Sequence, residues 1–244
     1  MIDDLLDARD DLERLLDQAL PALEARPASE GAEVLAVLLT APHRRTGPDT
    51  RLRRLVVRRL EQRATPAAAA VLEAIAALAD PDTARRGAEA LERLAQAGVT
   101  PAIAGIGQTE LADGVRARHD VAEGLAVRVH RPTEPGDRLL KLWLEPGDPG
   151  PPAQRGMLAG GWTDPLDARR VGKDRERFLR NAKVTEPDQL GAEETPQALD
   201  ALVRRAGELD VALSEGVALV LPQLRRAAGG PEWPDFDVVL GPPG

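Results

Sequence analysis

Cysteine is absent from this chain of 244 residues, and with it go disulfides, thiolate metal sites and cysteine nucleophiles. Tyrosine is absent too, and aromatic residues make up only 2% of the chain, so the stacking platforms that hold single-stranded nucleic acid are missing. Serine occurs at Ser29 and Ser214 alone. Neither has the G-x-S-x-G surroundings of a nucleophile elbow, and Ser29 is placed to cap a helix, which argues against acyl transfer through serine. Lysine is scarce: of 32 basic residues only Lys141, Lys173 and Lys183 are not arginine. That bias, beside abundant Ala, Leu, Gly and Pro, is the composition of a GC-rich bacterial genome, and arginine richness is discounted accordingly. No apolar run approaches the roughly 20 residues of a membrane span, and the opening MIDDLLDARDDLE is acidic where a secretory signal is basic. A cytoplasmic protein without membrane association is the expectation.

The net charge of −8 opposes nonspecific attraction to nucleic acid or anionic lipid. At 43% hydrophobic the chain can bury a substantial core, and its pattern divides near residue 108. Residues 1–108 read as an antiparallel bundle of five helices. The first, 3–24, carries Leu12, Leu15, Leu16, Ala19 and Leu23 at helical spacing and is otherwise acidic, with Pro21 expected to kink or end it. The second starts at the cap Ser29. The third, 49–63, sets Leu52, Leu55, Val56 and Leu60 against Arg51, Arg54 and Arg58. Residues 65–98 form a tight helical hairpin: Thr65 and Asp80 are caps, each followed by Pro, and Gly98 is a left-handed stop. Between Ala67 and Ala79 the only polar side chain is Glu73, so the first helix of that hairpin is expected at the centre of the core. On the second, Ala84, Gly87, Ala88, Leu91, Leu94 and Ala95 are expected to face inward.

Residues 109–244 read as an α+β part. A three-stranded antiparallel sheet is expected from 114–121, 125–130 and 139–144, followed by a Pro/Gly-rich loop over 145–156. A charged helix over 164–183 starts at Asp164. A long helical phase from Thr195 to Leu224 is interrupted near Gly207 or Gly216, and 236–240 is a candidate edge strand.

Chemistry is sparsely represented. The histidines are His43, His119 and His130. If Val121 pairs with Leu125, His119 and His130 lie on opposite faces of the hairpin and cannot share a metal. The carboxylate groups Asp164/Asp167, Glu193/Glu194 and Asp235/Asp237 are each explained as caps, helix starts or outward strand residues. Gly105-Ile106-Gly107 lacks the rest of a dinucleotide fingerprint, and GMLAGGW, 156–162, has no phosphate-loop lysine. No cofactor or metal is implied. The stretch from Gly156 through Trp162 to Arg169, Arg170 and Lys173 is nonetheless where an anion is first expected.

No family motif is recognised, and the residues alone support a non-enzymatic protein–protein interaction or regulatory module with an unidentified protein partner. One alternative is a carboxylate-based acid/base enzyme acting on an anionic substrate at 156–180. Another is nucleic-acid binding through Arg51, Arg54 and Arg58, weighed against an internal charge match between the acidic first helix and the basic third.

Overall fold

The computed structural model of the chain describes residues 2–40, 50–119, 121–147, 155–183 and 187–239. The protein is α+β and helix-rich, with N-terminal helices, then a sheet, then C-terminal helices. Its internal contacts separate into two units, Met1–Gly107 and Gln108–Gly244. Among the described residues no helix is long and apolar enough to cross a membrane.

The first unit contains α1 (Ile2–Ala25), α2 (Ser29–Thr40), α3 (Thr50–Arg63), α4 (Pro66–Leu78) and α5 (Pro81–Gln96). Its core is organised by α4, which touches each of the other four helices. The run from Ala67 to Leu72 is fully or almost fully buried, as an all-round apolar helix requires. Thr65 Oγ1 accepts from the Ala68 amide and Asp80 Oδ1 from the Thr83 amide, both at 3.2 Å, and Gly98 takes a φ of 82° after α5. Pro21 lies inside α1 without ending it. The inward face of α5 is Thr83, Gly87, Ala90 and Leu94; Ala88 and Ala95, expected inside, are exposed. Alanine carries too little apolar area to set the rotation of a helix that must also fit close against α4. The unit is closed by Glu33 on α2, fully buried, whose carboxylate accepts from the Gly107 amide at 2.6 Å.

The second unit is a seven-stranded mixed sheet in the order β5-β1-β2-β3-β4-β6-β7, which replaces the expected three-stranded antiparallel one. Strands β1 (Glu110–His119), β2 (Ala122–His130), β3 (Arg138–Glu145) and β4 (Met157–Trp162) form an antiparallel meander. Then come α6 (Ala168–Asn181), β5 (Asp188–Leu190), α7 (Glu194–Glu208), β6 (Ala212–Ser214), α8 (Glu215–Ala227) and β7 (Val238–Val239). Strand β5 adds antiparallel to β1, whereas β6 joins β4 and β7 joins β6 in parallel. These last strands are two or three residues long, too short to show a period of two.

Residues Met157–Trp162 of GMLAGGW form β4, an unexpected strand, and its glycines allow close approach: a side chain on Gly160, whose φ is 140°, would overlap the Lys141 carbonyl. The helix α6 starts at Asp167, which accepts from the Arg170 amide at 2.8 Å, rather than at Asp164.

The sheet is covered on both faces. Leu125, Val127, Leu140, Leu142, Leu144 and Leu158 meet Leu199, Leu202, Val203, Val217 and Leu224 of α7 and α8. On the other face Ala126 and Leu139 meet Val171 and Phe178 of α6.

Candidate ligand-binding site

The hairpin between β1 and β2 turns earlier than the sequence suggests, with His119 directly opposite Ala122. Strand alternation then puts His119 and His130 on the same face, the one covered by α6, and corrects their expected separation onto opposite faces. They still cannot meet, because eight strand steps from Ala122 to His130 amount to about 26 Å. His130 Nδ1 lies 2.9 Å from Asp137 Oδ1, in a chain that continues through Arg128 and Asp113 to Arg175 on α6. His43 lies outside the described residues, as do the side chain of Asp7 and positions 148–154 of the Pro/Gly-rich loop.

The same alternation separates the residues expected to form an anion site at 156–180. Trp162 points to the face of α7 and α8, while Arg169, Arg170 and Lys173 are exposed on α6 across the sheet. The Trp162 ring is instead covered by two buried guanidiniums, Arg131 at 5.4 Å and Arg138 at 5.5 Å. Arg138 donates to both oxygens of Glu134, at 2.6 and 3.0 Å, and Arg131 pairs with the same carboxylate at 3.2 Å. This is a structural cluster with its ring and charges already engaged. Asp237 is held by Arg155, Glu194 accepts from the Gly191 amide at 2.8 Å, and Asp235 is exposed.

In the first unit α1 and α3 meet in ion pairs made by Arg59 and Arg63. Arg59 and Arg63 both reach Glu13, at 2.8 and 2.7 Å, and Arg63 also pairs with Asp17. Arg53 reaches Asp80 at 2.7 Å. Arg51, Arg54 and Arg58 face outward. Arg54 and Arg58 line a cleft of about 150 Å³ against Arg86 and Arg93 of α5, where Glu61 and Glu89 balance part of the charge. Arg93 is bound to Glu61 at 2.6 Å, which holds that carboxyl below its ordinary 4.5.

A larger cleft, of about 460 Å³, opens on the α6 face of the second unit. That is the size of a small-molecule site. Its walls are the backbone and side chains of β3 and β4 on one side and the last turns of α6 on the other. Trp143 and Phe178 meet edge to face at 6.1 Å and 77°. Gly124 makes room for them, since a side chain there would overlap the Trp143 ring. Ala159 and Ala182 extend the apolar lining. Polar groups sit around it: Lys141 donates to Asp174 at 3.2 Å, Glu145 accepts from the Trp143 indole at 3.0 Å, and His119, Asn181 and Lys183 complete the lining.

None of these residues is marked by a motif. What distinguishes them is rarity, because two of the three lysines and two of the five aromatic residues in the whole chain line this one cleft. Composition could have raised that signal only after the fold brought positions 119–183 together.

Comparison with protein-family models, curated proteins and solved structures gives no match to this chain.

Proposed function

We propose that the protein is a non-enzymatic, regulatory binding module whose second unit takes a small, partly apolar molecule in the cleft between α6 and the β3–β4 face. The observation that carries this is the cleft itself: an aromatic pair and aliphatic walls, with polar groups at the edge, in a chain that otherwise has almost no aromatic residues. The polar groups there are suited to holding a ligand more than to chemistry. Glu145 is engaged by Trp143 and Lys141 by Asp174, so neither stands ready as a free acid or base.

Titration with the neutral fluorophore N-phenyl-1-naphthylamine tests this reading. Saturable 1:1 binding that is lost in Ala159→Leu, a substitution that fills the cleft, is the expected result. Binding that is absent, or indifferent to Ala159→Leu, overturns it.

A second reading, interaction with an acidic protein partner through α3, is favoured by one observation. Arg54 and Arg58 are exposed and have no ion-pair partner among the described residues. Nucleic acid on the same face is disfavoured by the chain's negative charge and lack of stacking residues. The arginine bias supports a bacterial setting for either reading.

A further inference from the structure

Taking the β3–β4/α6 cleft as a ligand site, we propose that its ligand is a small organic anion with an aromatic or bulky apolar body, and that Lys183 receives the anionic head group. The body is specified by the walls. Trp143 and Phe178 present an edge-to-face pair, and Ala159 and Ala182 continue the apolar surface. The head group is specified by charge. Of the lining side chains, Lys141 already has Asp174 and Glu145 is occupied by the Trp143 indole, whereas Lys183 is exposed at the rim and has no ion-pair partner among the described residues. An anion seated over the aromatic pair with its head at Lys183 satisfies the apolar wall and the cation together.

The backbone at Lys183 sets where that cation sits. The residue follows the α6 cap Ala182 in a left-handed conformation, φ 54°, which ends the helix beside the cleft. Glycine takes this conformation at Gly98 after α5 and Gly229 after α8, and residues with a side chain take it at Ala64 after α3 and Asp210 after α7.

The test compares two probes with the same aromatic framework, 1-anilinonaphthalene-8-sulfonate, which is anionic, and N-phenyl-1-naphthylamine, which is neutral. In Lys183→Asn, whose side chain tolerates the left-handed backbone, the sulfonate should bind about three to ten times more weakly while the neutral probe changes less than about twofold. Lys183→Arg should restore sulfonate binding. Raising NaCl from 0.05 to 0.5 M should weaken the sulfonate in the wild type and have little effect in Lys183→Asn. Lys183→Gly should melt no lower than the wild type, so that lost binding is not lost folding. An unchanged sulfonate affinity in Lys183→Asn, or equal weakening of both probes, overturns the assignment of the head group to Lys183. Absence of saturable binding by either probe instead overturns the cleft as a site, so the two failures are distinguishable.

Discussion

At Glu73 a single carboxyl interrupts the apolar surface of α4, and burial pushes its pKa above the ordinary 4.5. The folded protein therefore holds that proton more tightly than the unfolded chain, and at neutral pH the ionised group costs stability. Glu73→Gln should raise the melting temperature at pH 7, and the gain should shrink to nothing as pH falls below about 4.5, where the wild-type group is neutral in both states. Asp113 shows the opposite sign. Burial alone would raise its carboxyl, but hydrogen bonds from Arg175 and Arg128 outweigh that and hold it below the ordinary 3.8. Its contribution is complete above that value and is lost as pH falls through the lowered one. Asp113→Asn should cost roughly 1 kcal/mol at pH 7, a low figure because the carboxylate is partly exposed, with the difference from wild type closing below about pH 4 in denaturant titrations. The caps Thr65, Asp80 and Gly98 are legible in the sequence because their geometry is local. Lys183 and Gly124 are not, because what defines them is a side chain or a strand far away in sequence.

Among the elements, the helices of the first unit are the most legible, since thirteen residues of α4 with one polar side chain leave no other reading. The sheet is legible only in its three longest strands. The phase of β1 against β2 turns on a single residue of the hairpin, and that residue decides which side chains join α6 and which join α7 and α8. The pairing of β2 beside β3, which sets Gly124 opposite Trp143, gives a test at this scale. Gly124→Ala forces Trp143 and Phe178 apart, so it should destabilise the protein by about 1–3 kcal/mol, shift tryptophan emission to the red and abolish binding of both naphthalene probes. Unchanged emission together with retained binding would mean that the cleft is not shaped by this glycine. The partners of the arginines on α3 have a similar origin. Arg59 and Arg63 lie toward α1 and pair with Glu13, whereas Arg54 and Arg58 lie toward α5, where Arg86 and Arg93 carry the same charge.

For the molecule as a whole, the apolar clusters respect the division at Gly107: one draws only on residues 12–106, the others only on residues 111–236. Each unit has a core of its own, and fragments 1–107 and 108–244 should each fold with a cooperative thermal transition followed by circular dichroism. A fragment 108–244 that remains unfolded by itself would show that its core is incomplete without the first unit. The order of the strands within that second unit has a kinetic consequence. The walls of the cleft come from residues 119–183, contributed by strands that follow one another in the chain and by the helix directly after them. Strands β5 and β7 form the two edges of the sheet and, like β6 beside β7, join it only after long returns, and closing long loops is slow. The cleft should therefore form early in refolding, before the sheet acquires its borders, and a molecule that fits it should raise the refolding rate followed by stopped-flow tryptophan fluorescence.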